Sequence, residues 1–457
     1  GRARAFTDKT DNIEIKASWC SGNVAMTAKS YLGTMCIGVA ATGVEGLKTV
    51  IPEAGISNWY DYYRCGGLTV PALGWQGDDL DLLAKYCFSR AKDAADYAAV
   101  KDAYEAALAE LRRGEDRASG NYNRFWDERN YLNLADRIRA SVFIVHGLND
   151  WNVKTNQCIP LFRELEKRGV PAKMMLHQGP HVYIHNLRDS NMLDILHRWL
   201  EHYLKGADNG AEREPAVLVE SGADQSVWMA SETWPPAGCR EAEFPISARG
   251  RQTVVDDLSQ TAYDRKADNL NDWRDELVLR DDPEYRNRLK FVWNPFGEGN
   301  ASDDASLKTD SSNRGLRISG TVKVSFDAAI DRETAILSTM LVDLGASRRI
   351  TEEQIPHEDG TYSFGVEETP SLYKVISRGW INAQNRSCLW RKERIVPGET
   401  YHYEIDMVPT DYVLEPGHEL ALILYGIDAE ATPRPDTVTR IEIDTAHLQA
   451  SVPMGSC

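Results

Sequence analysis

The chain has 457 residues, enough for two or three domains, and its 42% hydrophobic and 26% charged residues are the composition of a globular protein rather than a disordered one. Lys+Arg number 52 against Asp+Glu 69, a net charge of −17. That balance argues against nucleic acid or an anionic membrane as the main partner, since both require clustered positive charge. No apolar run is long enough for a membrane span, and the basic start of the chain lacks the apolar stretch of a signal peptide. The eight cysteines show neither C-x-x-C nor zinc-like spacing, and they read as reduced thiols in a cytoplasmic protein with no metal site.

In chain order, the first stretch alternates short apolar runs with helical patterns, the texture of an α/β sheet. Residues 24–27 (VAMT) predict a strand, and 30–41 a helix of small residues. Further strands are predicted at 49–51 (TVI), 142–145 (VFIV) and 173–176 (KMML). Leu193, Leu196, Trp199, Leu200, Tyr203 and Leu204 form the apolar face of a helix ending at Gly206. Between these strands, 78–135 is rich in Ala, Leu and charge, with helices expected at 79–85, 91–113 and 122–135; it reads as a helical lid insertion. Residues 1–208 thus form an expected catalytic core. From 212 to 457 the pattern turns to β, with period-two alternation at 321–326, 401–405 and 440–443, an apolar run at 420–425, and Pro-Gly turns at 397–398 and 416–417. A jelly-roll sandwich is expected there, with the charge-rich stretch 256–288 as a solvated excursion.

Three strand ends carry chemistry. The first run leads into Ala28-Lys29-Ser30-Tyr31-Leu32-Gly33, a strand, a tight turn with a serine, and a helix of small residues. This is the pattern of a nucleophile elbow, which lets a hydroxyl project from the sheet while the Tyr31 N–H faces a developing oxyanion. By itself the pattern is common, and Ser30 as a helix N-cap would be the better reading. The strand at 142–145 leads into His146-Gly147-Leu148-Asn149-Asp150, and that at 173–176 into His177-Gln178-Gly179-Pro180-His181. The order Ser30, Asp150, His181 is that of α/β-hydrolases, each residue just past a strand. Ser30 would attack, His181 would take and return its proton, and Asp150 would fix the imidazole tautomer. Among the competitors, His146 is expected packed and hydrogen-bonded, His177 pointing with the sheet, His185 at the surface, and Lys29 solvated or salt-bridged. Asp136 and Asp194 are expected to cap helices or face solvent. Tyr60 and Tyr63 are expected in the core, Trp59 and Tyr62 as walls of an apolar pocket, and Trp75, Trp126 and Trp151 as core or lid packing.

Together the segments TAKSYLGT (27–34), TGVEG (42–46), EAGISNWYDYY (53–63), GDDLD (77–81), DERNYL (127–132), HGLNDWNV (146–153) and HQGPHVYIH (177–185) resemble the bacterial X-prolyl dipeptidyl aminopeptidases. These serine peptidases remove Xaa-Pro dipeptides from peptide amino termini. The later β region is similar to that family's C-terminal jelly roll. The resemblance implies the Ser30/Asp150/His181 triad, Tyr31 as an oxyanion donor, and Trp59, Tyr62, Asn152 and Val153 lining the proline pocket. It also implies a cytoplasmic homodimer with no cofactor and no metal, acting on peptides with proline second. The chain departs from the family at Ala28, where glycine is usual, and in having only 29 residues before Ser30. That shortness leads to the expectation of a C-terminal portion lacking the N-terminal strands of its sheet, with little activity alone. The alternatives are a related ester hydrolase or acylase, and a non-enzymatic binding module.

Overall fold

A computed structural model describes residues 5–6, 13–15, 18–90, 92–247, 250–257, 269–297 and 315–456. Its first part is built on a six-stranded sheet. The strands are β1 (Val24–Lys29), β2 (Leu47–Glu53), β3 (Ser141–Gly147), β4 (Ala172–His177), β5 (Val217–Glu220) and β6 (Trp228–Ser231). They lie in the order β6-β5-β4-β3-β2-β1, parallel except for the antiparallel β5–β6 pair.

Strand alternation sorts the apolar residues to two faces. Val50, Val142, Ile144, Met174 and Leu176 face a layer made by α1 (Tyr31–Ala40) and a later helix at Cys158–Lys167. Ile51, Phe143, Val145 and Met175 face the helix Met192–Lys205 through its Ile195 and Trp199. That last helix ends, as expected, at Gly206, whose φ of 73° is the left-handed conformation of a helix terminator. Trp199 is buried and Leu196, Leu200 and Tyr203 pack on the same cluster, as expected, joined by Met192 and Ile195, while Leu193 is exposed.

Between β2 and β3 the chain is mostly helical: α2 (Trp59–Tyr63), α3 (Leu80–Phe88), α4 (Ala94–Glu115), a single turn at Arg124–Asp127, and a 3-10 segment at Tyr131–Arg137. The expected continuous helix at 122–135 is broken because Asn123 and Asn130 each turn a side-chain oxygen to a backbone N–H and start a new cap. The insertion is anchored by buried charge. Arg64 holds Asp79 through two hydrogen bonds of 2.9 and 2.8 Å, with Arg117 joining the same carboxylate at 2.9 Å. Trp126 is fully buried, but Trp75, expected inside, is 66% exposed.

The second part is a sandwich of two antiparallel sheets. Strands at Thr400–Asp406, Lys323–Ile330, Thr439–Ser456, Leu316–Gly320 and Thr410–Leu414 adjoin in that order in one sheet, and Arg240–Glu243 and Arg251–Asp256 also pair with the long strand Thr439–Ser456. The other sheet runs Arg288–Trp293, Glu419–Tyr425, Ile336–Ser347, Ser371–Asn382. Leu289, Phe291, Leu422 and Leu424 of the latter pack with Val324, Phe326, Ile441 and Ile443 of the former in one core. A hairpin of Ile350–Pro356 and Tyr362–Val366 projects from the sandwich.

Two expectations change. The first sheet does not stop near 212, since β5 and β6 extend it to Ser231. The stretch 256–288 is not simply solvated. Its residues 258–268 lie outside the described residues, but Leu270–Leu279 is a helix whose Trp273, Leu277 and Val278 pack on Met340, Trp380 and Ile423 of the second sheet. Charged residues on the outer side mask this i, i+4 apolar pair in the sequence. Trp273→Ala should therefore lower the unfolding free energy by about 3–5 kcal/mol, while Leu279→Ala on the same helix's exposed side should cost about 0.5 kcal/mol or less. Denaturant titration followed by fluorescence and circular dichroism measures both.

Candidate active site

Ser30, Asp150 and His181 all follow carboxyl ends of parallel strands, so the sheet delivers them to one edge. Ser30 stands between β1 and α1 with φ 63° and ψ −130°, a conformation costly for a residue with a side chain. It occupies the N-cap position of α1, but its hydroxyl makes no capping bond. The turn is held by the Ser30 N–H donating to the Glu53 carbonyl at 2.9 Å. It also needs Gly33: a Cβ there would stand 2.8 Å from the carbonyl oxygens of both Ala28 and Glu53. Ala28 itself ends in the strand, packed against the core, where its methyl is accommodated. Tyr31 is the first residue of α1, so its N–H has no acceptor within the helix.

Asp150 is 2% exposed and uses both oxygens. Oδ1 accepts from the backbone N–H of Asn152 (3.0 Å) and Val153 (2.8 Å), while Oδ2 lies 2.6 Å from His181 Nδ1. A carboxylate can only accept, so Nδ1 carries the proton and Nε2 is left as the basic nitrogen. That Nε2 is buried and has no hydrogen-bond partner. Lys29 links the two loops. Its Nζ donates to the His181 carbonyl oxygen at 3.1 Å and lies 5.1 Å from the Tyr183 ring centroid. It is half-buried and bound to a carbonyl rather than to a carboxylate, where a solvated or salt-bridged lysine was expected.

The other histidines separate by environment. His146 is buried, donates from Nε2 to the Val153 carbonyl at 2.6 Å, and is held below its usual pKa mainly by burial. His177 is buried, and burial first, then the neighbouring His146 and His181, push its pKa down to about 3. His185, expected at the surface, is half-buried with Nε2 3.2 Å from Glu53 Oε1, which raises its pKa. Asp136 and Asp194 are exposed.

The four residues expected to line a pocket come together. The Trp59 indole meets the rings of Tyr31 and Tyr62 edge-on, each at 6.1 Å, and Val153 packs in the same cluster. The Tyr62 hydroxyl donates to Asn152 Oδ1 at 2.8 Å. Asn58 caps α2, and Gln157 Oε1 accepts from the N–H groups of Ser57 and Asn58, which fixes the entry to that helix. Tyr60 and Tyr63 are core residues. No cluster of three or more His, Cys, Asp or Glu suited to a metal occurs among the described residues, and no helix among them is long and apolar enough to cross a membrane.

One neighbour was not foreseen. Glu220, at the end of β5, is fully buried, and its Oε2 accepts from the Gln178 N–H at 2.7 Å, while the Gln178 amide donates to the Glu220 carbonyl at 2.8 Å. A charge closing the apolar run Val217-Leu218-Val219 was its only sequence signal.

Residues 6–183 match the family model for X-Pro dipeptidyl-peptidase (S15 family), and residues 209–455 match that for the X-Pro dipeptidyl-peptidase C-terminal non-catalytic domain. The chain is 38% identical to the Xaa-Pro dipeptidyl-peptidase of Lactiplantibacillus plantarum and 36% to that of Lacticaseibacillus paracasei, covering 99% of itself and 57% of each relative. It therefore spans little more than half the length of these relatives. Among solved structures it is similar to an aminopeptidase from a marine sediment archaeon of the Thaumarchaeota (TM-score 0.63, 15% identity, 95% of this chain and 77% of that one). It is also similar to a CocE/NonD family hydrolase of Staphylococcus aureus (TM-score 0.62, 12% identity, 96% and 73%). At such identities the likeness shows the fold, an α/β-hydrolase-like core followed by a β-rich domain.

Burial pushes the Glu220 carboxyl up to about 7, against the opposing pull of the Gln178 N–H. An unfolded glutamate ionises near about 4.3, so between these values the folded state holds the extra proton. The stabilisation from this group is complete below about pH 4 and is lost as the pH rises through about 7. Glu220→Gln keeps the acceptor for Gln178 and removes the ionisation. It should raise stability at pH 8 by on the order of 3 kcal/mol and flatten the pH dependence between about 4 and 7, as read by unfolding midpoints across pH.

Proposed function

Because the chain belongs to the X-Pro dipeptidyl-peptidase (S15) family, we propose that it carries the chemistry of a serine peptidase releasing Xaa-Pro dipeptides, with Ser30, His181 and Asp150 as the triad. The observation that carries this reading is the buried 2.6 Å contact between His181 and Asp150 with Nε2 unspent. Ser30 Oγ attacks the proline carbonyl carbon while its proton passes to His181 Nε2. The oxyanion so formed accepts a hydrogen bond from the Tyr31 N–H. Collapse breaks the C–N bond, and the imidazolium returns the proton to the departing amine, leaving the dipeptide as an ester on Ser30. Water, deprotonated by the same imidazole, then hydrolyses that ester.

Asp150 keeps Nδ1 protonated throughout and offsets the imidazolium charge without taking the proton. The proline ring occupies the slot of Trp59, Tyr62, Asn152 and Val153. A rigid pyrrolidine loses little freedom on binding between aromatic walls, which favours proline over flexible side chains. In this reading the helical segment 78–135 is a lid, the β-sandwich that follows β6 makes no contact with substrate, and the protein acts as a cytoplasmic homodimer without a cofactor.

A fluorophosphonate probe tests the nucleophile. The wild-type chain should be labelled at Ser30 and Ser30→Ala should not be, while Asp150→Asn should slow labelling on the order of 10⁴-fold because the imidazole loses its tautomer. Labelling of Ser30→Ala at the wild-type rate would contradict the assignment. In a panel of Gly-Pro, Ala-Ala and simple ester substrates, the Gly-Pro derivative should be hydrolysed best; a preference for the ester would favour the ester-hydrolase alternative.

A further inference from the structure

The hairpin Ile350–Pro356/Tyr362–Val366 belongs to the β-rich part, yet it packs on the loop that carries His181. Phe364 is 2% exposed and joins the apolar cluster on the face of the α/β sheet, with Met175, Ile184 and Leu187. Its ring stacks on His177 at 6.1 Å and 14°. It also fills the space in front of Gly179: a Cβ on that residue would come within 2.1 Å of Phe364 Cζ. Gln225 fixes Phe364 from behind, accepting from its N–H at 2.9 Å and donating to its carbonyl at 3.0 Å.

On the other side of His181 the same hairpin grips the chain again. The Tyr362 hydroxyl donates to the Tyr183 carbonyl at 2.5 Å, and the Tyr362 N–H donates to the Asn186 carbonyl at 2.9 Å. Its own carbonyl accepts from the Arg188 N–H at 2.7 Å, and the Arg188 guanidinium reaches Asp359 at 2.7 Å. His181 therefore sits on a short span held at 177–179 and at 183–188 by one hairpin. At the end of the neighbouring β3, Gly147 allows the span to approach closely, since a Cβ there would meet the Gly179 carbonyl oxygen at 2.4 Å.

We propose that this hairpin is a positioning device for His181, with Phe364 as its pin and Tyr362 as its second hold. It touches no substrate. The role rests on the serine-peptidase reading above, and gives the β-rich part a share in the reaction that its sequence does not announce. The reason is geometric: an imidazole displaced by about 1 Å from its nucleophile can cost on the order of a hundredfold in rate, and a loop of this kind has no regular hydrogen bonding of its own to prevent it.

The test uses the full chain and two readouts, the rate of fluorophosphonate labelling at Ser30 and amide hydrogen exchange of residues 177–188. Phe364→Ala should slow labelling about tenfold or more and speed exchange across 177–188, with Phe364→Leu restoring both to within about threefold of wild type. A folded Phe364→Ala that labels at the wild-type rate, or whose 177–188 exchange is unchanged, would overturn the proposal. If Phe364→Ala does not fold, Tyr362→Phe, which removes only the bond to Tyr183, decides the matter. It should slow labelling about two- to fivefold and speed exchange near His181, and no change in either overturns the proposal. A wild-type chain that never labels, with exchange in 177–188 still released by Phe364→Ala, would sink the serine-peptidase reading and leave the grip of the hairpin supported.

Discussion

The arrangement depends on one buried carboxylate. Asp150 is shut off from water and spends three hydrogen bonds, two from the backbone of Asn152 and Val153 and one from His181. A buried charge of this kind is tolerable only when its acceptor capacity is satisfied. The same bonds that make it tolerable have structural consequences. The backbone pair curls the loop so that Asn152 reaches Tyr62 and Val153 packs against Trp59. The third bond fixes which nitrogen of His181 is basic. The packing of Asn152 and Val153 against Tyr62 and Trp59 and the orientation of the His181 imidazole are thus set by a single group, and disturbing it would be felt in both.

Around this centre the protein invests close packing and buried polar contacts. Gly33 and Gly179 stand where a side chain would collide with backbone or with Phe364. Lys29 bridges from the Ser30 turn to the His181 carbonyl, and Glu220 holds the start of the same loop through Gln178. His146 and His177, packed nearby, are kept neutral by burial, so they add no charge that would compete with the Asp150–His181 pair. The two halves of the chain meet here through the hairpin, not only across the broad face where Leu68 and Val70 pack on the second sheet.

Much of this was legible in the sequence, and the reason is periodicity. Short β-branched and apolar runs such as Val142-Phe143-Ile144-Val145 suit buried strands, so whatever follows each run lies at the sheet's edge. That logic located Ser30, Asp150 and His181 without reference to any relative. Asn152 and Val153 came only from the family resemblance, since nothing local marks them as lining a pocket. Contacts between distant segments were not readable: Phe364 meets Gly179 across the whole insertion of sheet and sandwich, and no local pattern announces it. The last two strands of the first sheet also escaped, because β5 and β6 are four residues each, too short to distinguish from the β texture that follows. The helix at Leu270–Leu279 was hidden by its own charged outer face.

The central claim is that Asp150 holds His181 by a short Nδ1–H bond that leaves Nε2 as the base. Proton NMR of the chain reads that bond directly, since a proton held between an imidazole nitrogen and a carboxylate resonates far downfield of the amides. The account requires such a resonance in the wild-type chain, its survival in Ser30→Ala, and its disappearance in Asp150→Asn and in His181→Gln. A spectrum without it at any pH where the chain is folded, or one in which it persists in Asp150→Asn, would contradict the account.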